Sequence, residues 1–483
     1  MKILMATPEA VPYAKTGGLA DVAGTLPGEF LKLKRDKPEV LLFMPFYKKI
    51  KNFVQAESLG KSFSIKIGEK TYKGSLCGDK YAVFIRSDEF FARDGLYGAP
   101  AGDYPDNDKR FIFFSRAVLE AARLLDFRPD IIHVHDWQAG LIPLYLKTLY
   151  RKDPFFGKTK SVLTVHNLGY QGLFPRESLP LTGLGWELFT PDGVEFWGKM
   201  NFLKAGIIGA DMITTVSPTY AKEILTPEQG FGLDGLLRKR ASAIRGILNG
   251  IDYGVWDPQT DAFIPKNFSV KDLSGKKESK KALVRECGFE DARAPIASFI
   301  GRLSSQKGIN MLLDVAEDLV GWGLNLCVLG TGDEVYNKAL ASLSRKLAGR
   351  LKAFIAFDEK LSHLIYAGSD IFLMPSLYEP CGLGQMIAMR YGTPVVARRT
   401  GGLADTISDF SPLDGKGEGF LFAEKSASAL KEALRSALLV YSMPRPWDSA
   451  RRSGMRRDFS WRNSARQYIE LYIRLQRELA GKK

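Results

Sequence analysis

The stretch KTGGLAD at residues 15–21 returns almost unchanged as RTGGLAD at residues 399–405. In each copy a cation precedes paired glycines, and a helical pattern begins at the glycines. Glycine lets backbone N–H groups come close to an anion, and a helix N-terminus adds partial positive charge. No period of 20–50 residues links the two copies, which argues against a solenoid. The repeat therefore predicts two related halves, each with an anion-binding loop, unless the copies are unrelated glycine turns before helices.

Short apolar and β-branched runs alternate with stretches of helical periodicity along the chain, which is typical of parallel α/β folds. In the first half they predict strands at 2–6, 39–44, 81–86, 131–135, 161–165 and 212–216. In the second half they predict strands at 295–300, 324–329, 353–357, 371–374 and 394–397. Predicted helices between them include 19–33, 110–125, 309–320 and 383–391. The pattern indicates an α/β protein with two successive doubly wound domains.

The boundary between the domains is predicted near residues 246–275, where NGID, WDP and a polar stretch interrupt the periodicity. This division gives an N-terminal domain at 1–250 and a second domain at 251–460. The last segment, 461–483, is predicted to form a helix with one apolar face, built from Trp461, Tyr468, Leu471, Tyr472, Leu475 and Leu479. Because such a face needs a surface to cover it, we expect this helix to pack back on the N-terminal domain.

Length and composition narrow the class of protein. A chain of 483 residues is too long for one compact domain, and its 45% apolar and 25% charged residues are globular averages. The longest apolar runs are well short of the roughly 18 residues that span a bilayer. Met1 leads directly into a predicted strand with no signal pattern. We therefore expect a cytoplasmic protein that does not bind membranes.

Charge and cysteine content limit the possible partners. The net charge is +14, and residues 451–483 supply half of it, with ten basic and three acidic side chains. Such a segment is usually a solvated basic face, and a small anionic ligand is the main alternative. The rest of the chain has no basic stripe interleaved with aromatics, so we expect no nucleic-acid partner. The four cysteines form no CxxC pair, which argues against a disulfide framework or a zinc site.

Two loop motifs in the second half each follow a predicted strand. GRLSSQKG at 301–308 places Arg302 and Lys307 in a polar loop, where a guanidinium fork and a point charge could bind phosphate. PSLYEPCGLGQ at 375–385 places Glu379 at a loop tip before a helix, where a carboxylate could bind sugar hydroxyls or stabilise positive charge at an anomeric carbon. A surface turn and a helix-capping glutamate are the structural alternatives.

Histidine motifs end two strands of the first half. HVHDW at 133–137 places two histidines on one face of a strand and Asp136 at its carboxyl end, and TVHN at 164–167 places His166 at the end of a later strand. Open α/β sheets bind ligands at the carboxyl ends of their strands. A metal site is not expected because no third group of ligands accompanies the pair. A purely structural role for these histidines remains the alternative.

Other motifs that would indicate a different chemistry are absent. The sequence has no GxGxxG after a strand, no GxxxxGK[ST] loop and no GxSxG elbow, which argues against dinucleotide, ATP-type P-loop and α/β-hydrolase sites. Spacing alone leaves a paired-carboxylate glycosidase open. Two anion-binding loops nevertheless favour transfer from a phosphate-bearing donor.

Taken together, these motifs resemble the bacterial glycogen synthase and plant starch synthase family of retaining glycosyltransferases. The resemblance covers nearly the whole chain and rests on eight motifs in the family's order: KTGGLADV (15–22), YPDN (104–107), VHDWQAG (134–140), TVHNLGYQG (164–172), NGID (249–252), GRLSSQKG (301–308), EPCGL (379–383) and RRTGGLAD (398–405). It implies the type-B fold, in which two Rossmann-like domains face a deep cleft. Ile387 stands where many other retaining type-B enzymes carry a second glutamate, and glycogen and starch synthases share that departure.

The resemblance implies an activity and a set of site residues. The activity is transfer of glucose from ADP-glucose to the non-reducing end of an α-1,4-glucan, with no metal or other cofactor. The implied catalytic residues are Asp136, His166, Arg302, Lys307 and Glu379. The implied donor-binding residues are Lys15, Gly17, Gly18, Asn249, Cys381, Gly382, Leu383, Thr400 and Gly401. The alternatives are a related transferase that uses UDP-glucose or another acceptor, and a glucan-binding scaffold without turnover.

Overall fold

The computed structural model describes residues 1–33, 38–52, 55–99 and 102–480. The chain divides into two compact units. Unit 1 consists of Met1–Val216, Ala221–Leu248 and Trp461–Lys483, and unit 2 consists of Ser217–Tyr220 and Asn249–Ser460. Residues 481–483, which the predicted last segment includes, lie outside the described residues. Asn249, the first residue of the NGID motif, groups with unit 2.

Unit 1 is built on a nine-stranded sheet. Its strands in chain order, together with five short ones outside that sheet, are β1 (Lys2–Ala6), β2 (Glu39–Pro45), β3 (Glu57–Ile67), β4 (Lys70–Gly78), β5 (Ala82–Arg86), β6 (Gly98–Ala99), β7 (Gly102–Asp103), β8 (Ile131–His135), β9 (Lys160–Val165), β10 (Leu173–Pro175), β11 (Glu195–Phe196), β12 (Lys199–Asn201), β13 (Met212–Thr215) and β14 (Ile244–Gly246). The order across the sheet is β14-β13-β9-β8-β1-β2-β5-β4-β3. Neighbours are parallel from β14 to β5, and β4 and β3 add an antiparallel edge.

Unit 2 is built on a six-stranded sheet in which all neighbours are parallel. Its strands are β15 (Ile296–Ile300), β16 (Asn325–Leu329), β17 (Leu351–Phe354), β18 (Ile371–Met374), β19 (Val395–Arg398) and β20 (Gly419–Phe422). The order is β17-β16-β15-β18-β19-β20. Each parallel step needs a crossover, and helices supply it.

The α-helices in chain order are α1 (Gly18–Lys32), α2 (Asp88–Phe91), α3 (Asn107–Leu124), α4 (Leu141–Lys147), α5 (Ser178–Thr182), α6 (Phe202–Gly209), α7 (Pro218–Glu223), α8 (Asp234–Lys239), α9 (Ser274–Cys287), α10 (Ile309–Gly321), α11 (Glu334–Lys346), α12 (Glu359–Gly368), α13 (Gly384–Arg390), α14 (Gly401–Thr406), α15 (Ala427–Tyr441), α16 (Pro444–Arg456) and α17 (Trp461–Ala480). Helix α10 shows why they form: Ile309, Leu312, Val315, Ala316 and Leu319 repeat at helical spacing and are buried in the core of unit 2.

The predicted two Rossmann-like domains are confirmed by these sheets. Each of the eleven predicted strands is present, and ten have their ends within one residue of the prediction. The exception is β17, which begins two residues before the predicted 353–357. In the two large sheets β3, β4, β14 and β20 were not predicted, and neither were the five short strands outside them. No helix in the described part of the chain is long and apolar enough to cross a membrane.

The final helix, α17, completes unit 1. Its apolar face packs on α1, where the rings of Phe30 and Tyr472 lie 5.9 Å apart in an edge-to-face arrangement. The Tyr472 hydroxyl is fully buried and hydrogen-bonds Nδ1 of His133 on β8 at 2.7 Å. The hydroxyl of Ser464 donates to the carbonyl of Leu248 at 2.5 Å. A buried polar pair on an otherwise apolar face gives the helix one register on the sheet.

We predict that Tyr472→Phe loosens α17 without unfolding the protein. The change leaves Nδ1 of His133 buried without its partner, which should lower the local opening free energy of the helix by about 1–3 kcal/mol. Hydrogen–deuterium exchange of residues 461–477 measures that energy directly. The exposed Gln467→Ala on the same helix is the control, and a change within about 0.5 kcal/mol is expected for it. Equal protection in Tyr472→Phe and wild type would contradict the proposed contribution.

Candidate functional site

Strand order places the first-half motifs side by side in unit 1. β1, β8 and β9 are consecutive neighbours in the sheet, and all three run parallel. The KTGGL loop lies on the connection that leaves β1, Asp136 directly follows β8, and His166 directly follows β9. Because parallel strands end at the same edge of a sheet, the three motifs share one carboxyl edge.

Unit 2 repeats this arrangement. β15, β18 and β19 are consecutive parallel neighbours. The loop with Arg302 and Lys307 follows β15, the EPCGL loop follows β18, and the second glycine loop follows β19. The second-half motifs therefore also share one carboxyl edge.

A buried carboxylate holds the first glycine loop. Glu9 is 4% exposed, and its Oε2 accepts the backbone N–H of Thr16 at 2.5 Å while Oε1 accepts the Thr16 hydroxyl at 2.6 Å. The hydroxyl of Tyr97 also donates to Oε1 at 2.6 Å. Lys15 lies beside this anchor and pairs with Asp21 at 2.8 Å, with 35% of its side chain exposed. The loop is thus fixed by its threonine, while the lysine keeps access to solvent.

The two copies of the TGGLAD repeat both begin helices but meet different surroundings. At Gly401, where φ is +43°, a Cβ would lie 2.0 Å from the carbonyl oxygen of Glu379. At Gly17 a Cβ would meet no heavy atom within 4 Å among the described residues. Packing within the protein therefore requires glycine at position 401, which follows Thr400, the N-cap residue of α14. Packing does not require glycine at position 17, the N-cap residue of α1, which begins at Gly18.

Asp136 lies at the end of β8 in a backbone conformation that a residue with a side chain rarely adopts, with φ +54°. Such a conformation costs about 1–3 kcal/mol and is often found at functional sites. Its buried carboxylate accepts the backbone N–H of His166 at 2.7 Å. Burial, assisted by the charge of Glu9, raises the pKa of Asp136 to about 8 against the lowering effect of two backbone N–H groups.

His166 is held next to a second buried histidine. Nδ1 of His135 lies 3.0 Å from Nε2 of His166, and their rings are 5.2 Å apart. Burial lowers the pKa of both rings, to about 3 for His135, so both are neutral. Asp136 and His166, two of the predicted catalytic residues, are therefore in direct contact, and His135 joins them.

In unit 2 a close backbone approach joins the loop that carries Lys307 to the loop that carries Glu379. Gly308 has φ +73°, and a Cβ there would lie 2.0 Å from the carbonyl oxygen of Pro375. The backbone N–H of Leu377 donates to the carbonyl of Gln306 at 2.8 Å. A side chain at Gly308 would separate the loops, so glycine is required for the contact that follows.

That contact joins Lys307 to Glu379. Nζ of Lys307 lies 2.6 Å from Oε2 of Glu379, whose side chain is 6% exposed. The hydroxyl of Ser376 donates to the same oxygen at 3.0 Å. The buried guanidinium of Arg398 donates to the carbonyls of Ser376 and Leu377 and so holds the loop from behind. An ion pair this enclosed fixes both the carboxylate and the cation.

The remaining predicted residues of unit 2 surround this pair. The side-chain amide of Gln385, two residues after Leu383, donates to the carbonyls of Cys381 and Gly382 at 2.9 and 3.0 Å. The backbone N–H of Gly402 donates to the carbonyl of Glu379 at 3.1 Å. Burial raises the pKa of Cys381 to about 12, although a backbone hydrogen bond from Asn249 opposes the shift. Cys381 is therefore a protonated thiol rather than a nucleophile.

Arg302 and Asn249 have different environments. Arg302 is exposed, whereas Asn249 is 7% exposed and its Oδ1 is buried without a hydrogen-bond partner among the described residues. Across those residues no group of three or more His, Cys, Asp or Glu side chains could hold a metal ion. Unit 1 thus contributes Asp136 and two neutral histidines, and unit 2 contributes the Lys307–Glu379 pair and the exposed Arg302.

Comparisons with known proteins show the family to which this chain belongs. The family described as "Starch synthase catalytic domain" matches residues 2–239, and "Glycosyl transferases group 1" matches residues 284–453. The glycogen synthase of Thermodesulfovibrio yellowstonii is 48% identical over 98% of this chain and 97% of its own length. That of Syntrophotalea carbinolica is 46% identical, with 98% of each covered. This chain belongs to the glycogen and starch synthase family.

A solved structure of the family agrees with the fold. The catalytic domain of starch synthase IV from Arabidopsis thaliana, bound to ADP and acarbose, is 33% identical with a TM-score of 0.90, over 98% of this chain and 99% of that one. The predicted family, its type-B fold and the glucosyltransferase class are confirmed. The individual site residues predicted from the sequence stay predictions.

Sequence reasoning missed the role of Glu9 in this glucosyltransferase. Glu9 anchors the KTGGL loop through Thr16 and also binds Tyr97, which is 88 residues away along the chain. A single glutamate seven residues before Thr16 has no motif spacing to distinguish it. Only its position after β1, the strand that precedes a glycine-rich loop, could have drawn attention to it.

We predict that Asp136 makes the stability of this synthase fall as pH rises. Its folded-state pKa of about 8 exceeds the unfolded value, so its contribution is fully present below the unfolded pKa near 4 and is lost as pH rises through about 8. The melting temperature of wild type relative to Asp136→Asn should therefore fall between pH 5 and pH 8.5. Thermal melting of both proteins at each pH measures this difference.

The control for this prediction is Asp103→Asn, at an exposed position in the same unit. Its melting temperature relative to wild type should stay nearly constant across that range. A difference between wild type and Asp136→Asn that does not change with pH would show that Asp136 ionises as an ordinary exposed carboxylate does.

Proposed function

We propose that this protein is a glycogen synthase that transfers glucose from ADP-glucose to the non-reducing end of an α-1,4-glucan, with retention of the anomeric configuration. The observation that carries the proposal is the enclosed pair of Lys307 and Glu379 at the carboxyl edge of the unit 2 sheet, on a chain of this family. The ADP in the related starch synthase IV structure supports adenine as the donor base. The cytoplasmic location belongs to the same proposal, because the relatives are bacterial glycogen synthases.

The proposed role of the cations is to stabilise the leaving group. Cleavage of the glucosyl–phosphate bond builds negative charge on the diphosphate, which fixed cations stabilise more in the transition state than in the substrate. Arg302 can bind phosphate oxygens through a fork, and Lys307 supplies a point charge held in place by Glu379. Lys15, fixed by the Glu9 anchor of its loop, is proposed to contribute a third cation, with the N–H groups of Gly17 and Gly18 beside it.

The proposed role of the carboxylates and histidines is to bind and orient the glucosyl group. Glu379 would accept hydrogen bonds from sugar hydroxyls and stabilise oxocarbenium character at the anomeric carbon. Lys307 and Ser376 both bind Oε2 of Glu379. His166, neutral and held by Asp136, would present its ring and strand-end backbone to the transferred glucose. Attack of the acceptor from the front face fits a protonated Cys381, which offers no thiolate nucleophile.

The donor assay is the first test of this proposal. Purified protein is incubated with glycogen and either ADP-[14C]glucose or UDP-[14C]glucose, with and without a chelator, and incorporation into polymer is measured. We expect ADP-glucose to be preferred and the chelator to have no effect. Preference for UDP-glucose would assign the protein to the alternative donor. No incorporation from either donor by folded protein would favour another acceptor or a scaffold without turnover.

We predict that Glu379→Gln abolishes most of the turnover. The amide keeps the shape of the side chain but removes the charge that faces developing positive charge, so kcat should fall on the order of 10²–10³-fold. Steady-state kinetics with ADP-glucose and glycogen measures the loss. Glu424→Gln, at an exposed position in the same unit, should leave kcat unchanged. Wild-type turnover in Glu379→Gln would refute the role assigned to this carboxylate.

A further inference from the structure

His135 contributes a buried imidazole that hydrogen-bonds one partner in the described part of the chain. It is the last residue of β8 and is fully buried, with its ring 4.3 Å from that of His133 and 5.2 Å from that of His166. Its Nδ1 hydrogen-bonds Nε2 of His166 at 3.0 Å. Its Nε2 is buried and has no hydrogen-bond partner among the described residues. An apolar residue would fill this space without burying an unpaired nitrogen, so the imidazole is not explained by packing.

His133, two residues earlier on the same strand face, has a different set of partners. It hydrogen-bonds the Tyr472 hydroxyl at 2.7 Å and the Thr164 hydroxyl at 2.6 Å. Both of its nitrogens are thus satisfied within the packing of α17 on the sheet. The two histidines of the HVHDW motif therefore serve different purposes, and only His135 reaches His166.

The unpaired nitrogen indicates where the proton of His135 lies. The ring is neutral, so one nitrogen carries a proton and the other is a bare acceptor. A buried N–H without an acceptor is rarer in proteins than an unsatisfied acceptor. The proton is therefore placed on Nδ1, which donates it to Nε2 of His166. His166, itself neutral, then carries its own proton on Nδ1.

We propose that His135 fixes His166 in the tautomer protonated at Nδ1 and is thereby a positioning residue for glucosyl transfer. The tautomer follows from this geometry alone, whereas its effect on turnover rests on the proposed function. Asp136 binds the backbone N–H of His166 at 2.7 Å, so consecutive residues at the end of β8 hold the backbone and the ring of the same histidine. The held ring keeps one N–H donor, on Nδ1, for a hydroxyl of the transferred glucose.

Two substitutions at His135 separate its hydrogen bond from its packing. In His135→Asn the side-chain amide nitrogen occupies nearly the place of Nδ1 and can still donate to His166. In His135→Leu the space is filled but no donor remains. Since Nε2 of His135 has no partner among the residues that the structure describes, His135→Asn removes no other hydrogen bond to them. His133→Leu is the matched control, because it removes an equally buried histidine of the same strand that does not contact His166.

The first readout is the tautomer of His166. The chain has only four histidines, so long-range ¹H–¹⁵N spectra of protein labelled at the imidazole nitrogens can be assigned with the single variants. We expect the Nδ1–H tautomer of His166 in wild type, His135→Asn and His133→Leu, and a shift toward the other tautomer in His135→Leu. The Nε2–H tautomer in wild type, or an unchanged His166 in His135→Leu, would overturn the proposal.

The second readout is the division between kcat and KM for ADP-glucose. His135→Leu should lower kcat about tenfold or more, with a smaller change in KM, by analogy with the loss seen when the hydrogen-bond partner of a metal-binding histidine is removed. His135→Asn should recover most of that loss, and His133→Leu should lower the melting temperature with kcat within about twofold of wild type. Wild-type kcat in His135→Leu, or an equal loss in both His135 variants, would overturn the positioning role. If wild type itself transfers no glucose, the spectra still decide the tautomer.

Discussion

The parallel pairing of neighbouring strands decides where every proposed site residue lies. In unit 1 the register of β8 between β1 and β9 sets the ends of three strands at one edge, and in unit 2 the register of β18 between β15 and β19 does the same. These strands are largely buried, so a slip of one residue would turn their side chains to the opposite face of the sheet. The sheets thus place side chains from positions as distant as Lys307 and Glu379 within one hydrogen bond.

Buried carboxylates then set the conformation of the loops that leave these strands. Glu9 accepts hydrogen bonds from Thr16 of its glycine loop, and Asp136 accepts the backbone N–H of His166. Glu379 pairs with Lys307 of the neighbouring loop. Burying a charge is unfavourable unless hydrogen bonds or an opposite charge compensate for it. The charge of Glu379 is compensated by Lys307, whereas Asp136 is neutral below pH 8 and holds its loop through hydrogen bonds to the backbone.

The sequence predicted those parts of the molecule that have a local signal. Buried parallel strands are short apolar runs, and the loops that follow them carry glycines and charges at fixed spacing. Strand β3 was missed because seven of its first eight residues are exposed, so it lacks the alternation that marks a half-buried strand. The Glu9 anchor and the His135–His166 pair were missed because each depends on which strands are neighbours in the sheet. A local stretch of sequence does not contain that information.

The last helix has a consequence for how the chain is made. Unit 1 includes α17, and residues 249–460 must all be synthesised after Leu248 and before that helix. A ribosome adding about 5–20 residues per second needs roughly ten to forty seconds for that interval. During this time His133 and the apolar surface of α1 have no cover from Tyr472 and its neighbours. The nascent N-terminal sheet is therefore an incomplete structure that a chaperone could bind until synthesis ends.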